Sequence, residues 1–452
     1  MKSLQVIKDK EFRRKLLIIA FPVVLQNLIN FGISAADTIM VGRLGEVQLS
    51  AAAISNQFTF IFMIITFGIA MGCSVLSAQF WGAGDIDKIR SIFSFMFRMV
   101  AVLSLVFLVL TTIFPQFILS IIVSDAQVIN EGVRYLRIIG ISFAFWGFTM
   151  SAIGLLRSTG TVNIAVTVSF VSFMINITLN YCLIFGHFGL PALGIQGAAV
   201  ATVIARFCEF VIILVFVFKV EKTIGLRWAH LAHRTSGIAK NFMKNGAPVV
   251  VNELVWVSGN FLLSVIIGQM GREYVAANAI GGLMIQLVGI VIFGISSATG
   301  VMIGNIIGEG EEQKAKQYAN GMLFLSVLIG LASFVVIQIV RIPVLSFYNL
   351  SELTRVYAEQ VTFVISIITF FMAISNVSLM GTLRGGGDTR FVMVADVIFT
   401  WVFAIPFGAL AGLVLHWPVY VVFMILRSED IMKAAVVFWR VPRGRWLRNV
   451  TK

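Results

Sequence analysis

The sequence has few of the charged residues that cover the surface of a soluble protein. Only 12% of its 452 residues are Asp, Glu, Lys or Arg, whereas 59% are hydrophobic and the mean hydropathy is +0.96. Soluble globular domains carry about 25% charged residues. The composition therefore excludes a soluble domain and predicts a polytopic membrane protein.

Cysteine and the common catalytic motifs are also scarce. The three cysteines, Cys73, Cys182 and Cys208, lie inside apolar segments without the spacing of a metal or redox site. The chain contains no GxxxxGK[ST], HExxH or GxSxG sequence. We therefore expect no disulfide framework, no ATP-driven motor in this chain, no cofactor and no enzymatic activity.

What the sequence does have is a succession of long apolar segments. A membrane-spanning helix needs about 20 consecutive apolar residues. The segments are 16–41, 50–80, 92–114, 135–156, 162–186, 194–218, 246–268, 275–306, 318–340, 357–382, 391–415 and 418–438. They predict an all-α polytopic membrane protein with twelve transmembrane helices.

The net charge of +13 has a topological explanation. If the N-terminus is cytoplasmic, most Lys and Arg residues fall in cytoplasmic segments, as the positive-inside rule requires. We therefore expect a multi-pass protein of the cell membrane with both termini in the cytoplasm. The basic residues would contact anionic lipid headgroups in the bilayer. No nucleic-acid partner is needed to explain the charge.

The two halves of the chain resemble each other at an offset of 226 residues, which becomes 227 where GLLRSTG (Gly154–Gly160) aligns with GTLRGGG (Gly381–Gly387) and pairs Arg157 with Arg384. The offset pairs Pro22 with Pro248, Gly42 with Gly268, and Gly82 with Gly308. The predicted parts are an N-terminal lobe 1–218, a cytoplasmic linker 219–245, a C-terminal lobe 246–440 and a basic tail 441–452. An even number of helices per half predicts two pseudo-symmetric six-helix bundles, a parallel repeat about the membrane normal, as in some secondary transporters. We expect such a transporter to be a monomer.

Asp37 lies near the far end of the first apolar segment. A carboxylate within a membrane span is costly and usually marks an ion, proton or substrate site. The alternative is an Asp at the membrane interface that bonds to the Thr38 hydroxyl or to a backbone amide. Pro22, in the same segment, and its counterpart Pro248 each remove a backbone hydrogen bond, so both are candidate hinge or kink positions.

Three further polar residues fall at the depth expected for Asp37. Asn176 and Asn180 are one helical turn apart on the segment 162–186, and Thr202 lies on the next segment. A rise of about 1.5 Å per residue places all of them in the outer third of the first bundle. Together they could hold a proton or coordinate a hard cation through oxygen atoms. The alternative is a hydrogen-bonded set that only joins helices.

The second half carries its own acidic residues, Glu253 and Asp396. Both are expected about 10 Å above the inner face, where they could form an acidic site for a cationic substrate or coupling ion. The alternative is that Glu253 bonds to Asn252 or Asn260 and that Asp396 caps the start of a helix.

Two other charged pairs have the spacing of partners on one helix. Arg206 and Glu209 are three residues apart, and Glu429 and Lys433 are four apart. We expect each pair to neutralise itself within its bundle.

Several motifs spread over the whole chain resemble the multidrug and toxic compound extrusion (MATE) family. They are Asp37-Thr38-Ile39-Met40-Val41-Gly42, Ala78-Gln79 followed by Gly82-Ala83-Gly84, Leu156-Arg157-Ser158-Thr159-Gly160, the Asn176 to Gly186 stretch, Gly197 to Thr202, and Leu383-Arg384-Gly385-Gly386-Gly387-Asp388-Thr389. The resemblance implies a twelve-helix, two-lobe antiporter. In it, sodium or proton entry drives the export of small organic, often cationic, compounds from a central cavity.

The resemblance also implies a cation site in the N-terminal lobe, but it does not carry over to the second lobe. Asp37, Asn176, Asn180 and Thr202 match the family's N-lobe cation site. The second lobe departs from the pattern, since two acidic positions of one sodium-coupled branch fall at Trp256 and Ala373. Two other functions stay open: a flippase for lipid-linked precursors, which would need a strongly cationic cavity, and an intramembrane enzyme.

Overall fold

The computed structural model describes residues 6–232, 236–348 and 350–451, and these ranges contain helices and no strand. Residues 233–235 of the predicted linker lie outside the described residues. The helices are α1 (Lys10–Gly42), α2 (Glu46–Gly82), α3 (Ile86–Ile113), α4 (Pro115–Ser120), α5 (Ala126–Ile139), α6 (Ser142–Ser158), α7 (Asn163–Phe185), α8 (Ile195–Val220), α9 (Ser236–Asn245), α10 (Ala247–Met270), α11 (Arg272–Gly308), α12 (Glu312–Ser346), α13 (Glu352–Leu383), α14 (Thr389–Val414), α15 (Val419–Leu426) and α16 (Glu429–Arg443).

Most of these helices have the length and composition of membrane spans. Within the described ranges ten are long and apolar enough to cross a bilayer, and α5 with α6, bent by 51° at their junction, forms an eleventh broken span. The last predicted segment, 418–438, is divided into α15 and α16 by Arg427 and Ser428. The prediction of an all-α polytopic membrane fold is confirmed.

The chain forms two compact units that do not follow the sequence halves strictly. One unit contains α1 up to Val24, Ala78–Gly84 and the chain from Met243 onward; the other contains Leu25–Ser77 and Asp85–Phe242. The core of the second unit includes a cluster of aromatic side chains from α2, α3 and α6. Its members are Phe62, Phe107, Phe143 and Trp146. The predicted lobe boundaries stay a prediction.

Helices α7 and α8, which carry the predicted amides and hydroxyl, pack against each other closely. A Cβ atom at Gly197 of α8 would overlap the carbonyl of Leu183 on α7, so only glycine fits there. Helix α7 ends at Gly186, whose φ of +75° is readily adopted only by glycine. The close approach brings Thr202 on α8 beside Asn176 on α7.

The two prolines lie in different helical environments. Pro22 is inside α1, where its missing N–H removes a bond of the helix. Pro248 is in the first turn of α10, directly after the break at Gly246 that separates α9 from α10. A first-turn N–H has no partner within the helix, so Pro248 removes no hydrogen bond of α10 and lies at the start of this candidate span, next to the junction with α9.

Helices α13 and α14 contain wider, π-helical turns. They are Val377–Leu383 in α13, and Val397–Ala404 and Leu410–Val414 in α14. Such turns are rare and are frequent at functional sites. Here one directly precedes Arg384 and another directly follows Asp396, two residues that lie in the charged cluster described below.

Candidate ion-coupling site

The structure brings the four predicted residues of the first half into one hydrogen-bonded chain. Asn180 Nδ2 donates to Asp37 Oδ1 and to Asn176 Oδ1, the latter at 3.1 Å. Asn176 Nδ2 donates to Thr202 Oγ1 at 3.4 Å, and the Thr202 hydroxyl donates to the Ala198 carbonyl at 3.0 Å. Asn176 and Asn180 are fully buried, whereas Asp37 and Thr202 are half-buried. One acid, two amides and a hydroxyl thus meet on three helices.

One oxygen of this chain has no hydrogen-bond donor. Asn180 uses its amide nitrogen twice, and its Oδ1 is buried without a partner. Leaving a buried acceptor unmatched costs about 1–3 kcal/mol. The arrangement therefore has an oxygen available, next to the Asp37 carboxylate, for a cation or for a proton-bearing group.

The charge of Asp37 is not balanced by an ion pair with any described residue. Arg206, on the neighbouring α8, is engaged elsewhere: its Nη1 lies 2.9 Å from both carboxylate oxygens of Glu209, and its guanidinium lies over the Trp146 ring at 5.3 Å. The predicted Arg206–Glu209 pair is confirmed. Asp37 is left as an acid that can take up an exchangeable positive charge.

The structure does not show the bond between Asp37 and the Thr38 hydroxyl that was considered from the sequence. The Thr38 hydroxyl donates to the Ser34 carbonyl at 2.8 Å, one turn back along α1. Such a bond to the preceding turn is common for threonine in helices. The side-chain partner of Asp37 is Asn180.

In the second half, Glu253 forms an ion pair with a basic side chain. Its Oε1 lies 2.7 Å from Arg384 Nη1, and both side chains are buried. This partner differs from Asn252 and Asn260, the neighbours considered from the sequence. Arg384 also has two buried nitrogens, Nε and Nη2, without a described acceptor.

Asp396 also forms an ion pair, in this case with a lysine side chain. Its Oδ1 lies 2.6 Å from Lys433 Nζ, and its Oδ2 accepts a hydrogen bond from Asn252 Nδ2 at 2.5 Å. Lys433 is shared with Glu429 at 3.1 Å, which confirms the predicted pair on α16, and Glu429 also accepts from the Thr400 hydroxyl. Asp396 is the last residue before a π-helical turn and does not cap a helix start.

Glu253 and Asp396 therefore do not meet as two free acids. Asn252, which donates to Asp396, is the chain neighbour of Glu253 on α10, and each acid has its own basic partner. Sequence reasoning missed Arg384 and Lys433 as these partners. The repeat pairs Arg384 with Arg157, and in the structure Arg157 donates to Gln26 Oε1 at 3.0 Å on α1, the first helix of the other half.

Comparison with known proteins places the chain in a family. The MatE family model matches residues 22–182 and 248–410, one match in each half. A protein of Thermotoga maritima described as "Probable multidrug resistance protein NorM" is 27% identical over 88% of this chain and 85% of its own length. The "Probable multidrug resistance protein YoeA" of Bacillus subtilis is 24% identical over 87% of this chain and 85% of its own.

A solved structure supports the same fold at lower sequence identity. A transporter of the MOP superfamily from Pyrococcus furiosus aligns with a TM-score of 0.87 at 17% identity, covering 100% of this chain and 99% of its own. That identity supports the fold alone. Its description states that reversed polarity of the binding pocket suggests a different function, so the fold leaves the substrate open. With the family match covering more than half of its residues, this chain belongs to the MatE family, a family of membrane transporters and not of enzymes.

Proposed function

We propose that this protein is a cation-coupled secondary antiporter that exports small organic compounds, cationic ones in particular, by alternating access. The observation that carries the proposal is the Asp37 centre: an intramembrane acid without an ion pair among the described residues, beside the unmatched Oδ1 of Asn180. Names of relatives as multidrug resistance proteins support the substrate class. The coupling ion is sodium or a proton, since oxygen ligands suit both.

The Asn180 amide suits both charge states of Asp37. Its Nδ2 donates to the carboxylate, as in the structure. If Asp37 takes up a proton, the acid becomes a donor, and Asn180 Oδ1 is a buried acceptor without another partner. If Asp37 instead binds sodium, the same Oδ1 supplies a neutral oxygen ligand. Binding and release of one positive charge can thus alternate the hydrogen bonding between α1 and α7.

The hydrogen-bonded chain connects the ion-binding residues of α1 and α7 to a third helix, α8. Asn180 is bonded to Asn176, and Asn176 to Thr202 on α8. A change in the partner of Asn180 therefore alters the contacts of α8 as well as those of α1. We propose that this rearrangement converts ion uptake into helix movement, the step that alternating access requires.

In the second half we propose a supporting role for the acids. Glu253 and Asp396 can receive a coupling ion or a cationic substrate only when Arg384 or Lys433 withdraws, because each acid is already neutralised. The remaining features of the proposal follow the sequence: both termini in the cytoplasm of a cell-membrane protein, one chain per transporter, and two lobes separated by the linker 219–245.

The test is substrate efflux from proteoliposomes in which sodium and pH gradients are imposed separately. We expect one of the two gradients to drive efflux of an organic cation, and Asp37→Asn to remove that stimulation. Glu131→Gln, which changes a partly buried acid paired with Arg134 on α5, is the control and should keep the stimulation. Equal efflux with both gradients collapsed would contradict the proposal.

A further inference from the structure

The first part of the linker folds into a fixed turn at the end of α8. The Glu221 carboxylate accepts the backbone N–H groups of Thr223, Ile224 and Gly225 at 2.8–3.3 Å. Gly225 has a φ of +57°, which completes the turn. The negative charge of Glu221 is thus hydrogen-bonded to the backbone of the turn that follows it.

This turn is fastened to α3. Arg90 Nε donates to the Ile224 carbonyl at 2.8 Å, and Ile224 and Leu226 are buried. Further along, the Leu231 carbonyl accepts from the Ser94 hydroxyl at 2.8 Å and from Arg98 Nη2 at 2.7 Å. The segment from Glu221 to Leu231 is therefore held against the start of α3.

Between this segment and the end of α8 is a basic pocket of about 510 Å³. Its cationic lining consists of Arg90, Lys219, Lys222 and Arg227. Lys219, Lys222 and Arg227 are exposed, and none of the three forms an ion pair with a described residue. Among the described lining residues Glu221 is the one acid, and its carboxylate oxygens accept backbone N–H groups of the turn. The pocket therefore has an excess of positive charge and is suited to an anion.

The pocket lies where a membrane span ends. Helix α8, a candidate span, ends at Val220, and exposed apolar side chains continue along it, including Phe207 and Val215. Beyond its end, Trp228 is 60% exposed and stacks on Phe218 with ring centroids 4.1 Å apart. Exposed tryptophan next to lysine and arginine at the end of a span is typical of the headgroup layer.

We propose that this basic pocket binds the phosphate headgroup of an anionic glycerophospholipid, whose acyl chains lie along the exposed apolar side of α8. A free phosphate ion is also an anion, but it makes no contact with the adjoining apolar side chains. The lipid fits both the basic pocket and the apolar side chains, because its phosphate lies at the headgroup level and its acyl chains lie in the hydrocarbon layer. The bound lipid would hold the first part of the linker at the membrane surface. The inference is independent of the coupling ion.

Native mass spectrometry of the detergent-purified full chain tests the proposal directly. The protein is titrated with phosphatidylglycerol and, separately, with phosphatidylcholine of the same acyl chains. We expect tighter binding of the anionic lipid, and we expect Lys219→Gln/Lys222→Gln/Arg227→Gln to weaken it by at least about tenfold. The control Lys8→Gln/Lys10→Gln/Arg14→Gln removes the same charge from exposed residues near the N-terminus.

Three outcomes would overturn the proposal. The first is equal affinity of the wild type for the two lipids, which needs no variant. The second is an equal loss in the control variant, which would indicate general surface attraction. The third is displacement of the lipid by inorganic phosphate or by glycerophosphoglycerol at comparable concentration, which would indicate a site for soluble anions. Melting temperatures in detergent confirm that both variants are folded.

Discussion

The two halves of this chain each contain an aspartate bonded to an asparagine amide, but only one of them is neutralised. Asp37 accepts from Asn180, and Asp396 accepts from Asn252, and in both pairs the Oδ1 of the asparagine has no partner. Asp396 additionally has Lys433 at 2.6 Å, whereas Asp37 has no ion pair with a described residue. The aspartate of the second half is thus neutralised by a lysine of the chain, whereas Asp37 has no such partner among the described residues.

This difference predicts that the acids of the second half contribute mainly to stability and that Asp37 contributes mainly to ion coupling. A buried ion pair costs several kcal/mol when one partner is removed, because the other charge stays buried and unmatched. An acid without such a partner can change its charge at a smaller cost to the fold. We therefore expect substitutions in the second cluster to affect stability most and substitutions at Asp37 to affect transport most.

Lys433→Met should have the largest effect on stability. It leaves Asp396 and Glu429 buried without their shared ammonium group, and we expect a loss of about 3–5 kcal/mol in the free energy of unfolding. Thermal melting in detergent measures the change.

The double variant Lys433→Met/Asp396→Asn sharpens this result. Removing one of the two stranded charges should recover part of the lost stability. If the double variant melts no higher than Lys433→Met, the charge balance of this cluster is not what stabilises it. Lys240→Met, at an exposed position on α9, is the control with the same change of side chain.

Asn180→Leu should have an intermediate effect on stability and a strong effect on transport. It removes the donor to Asp37 and to Asn176 together, leaving buried acceptors unmatched at a cost of about 1–3 kcal/mol. We expect ion-driven efflux to be lost while the protein still reaches the membrane, as measured in proteoliposomes and by membrane fractionation. Retained coupling in a folded Asn180→Leu variant would remove Asn180 from the site.

Thr202→Val should have the smallest effect. The Asn176–Thr202 bond is long, at 3.4 Å, and a neutral hydrogen bond contributes about 0.5–1.5 kcal/mol. We expect a small drop in melting temperature and a changed apparent affinity for the coupling ion, with efflux still dependent on its gradient. An unchanged ion affinity would place Thr202 outside the site.

Much of the fold could be predicted from the sequence, because the bilayer dictates the length and polarity of a span. Eleven of the predicted segments correspond to helices or to the bent pair that pass as spans within the described residues. The division of the twelfth at Arg427 could not be predicted, since its apolar average hides a local break. The π-helical turns next to Arg384 and Asp396 likewise leave no mark in an apolar pattern.

The candidate site of the first half was easier to predict than the cluster of the second. Asn176 and Asn180 share a helical face by spacing alone, and the depth of Asp37 follows from topology. The basic partners of Glu253 and Asp396 are distant in sequence, Arg384 directly after α13 and Lys433 on α16, so that no local spacing connects each pair. The structure shows a repeated contact that the sequence alone does not reveal: Arg157 donates to Gln26 in the first half, and its counterpart Arg384 donates to Glu253 in the second.

The most direct measurement of the central claim compares Asp37→Asn with wild type in both stability and ion-driven efflux. The amide keeps the shape of the side chain and breaks no ion pair described in the structure, so we expect the melting temperature to change little. Efflux of an organic cation under the effective gradient should fall to the level of liposomes without a gradient. Gradient-driven efflux at the wild-type rate from a folded Asp37→Asn protein would contradict the account.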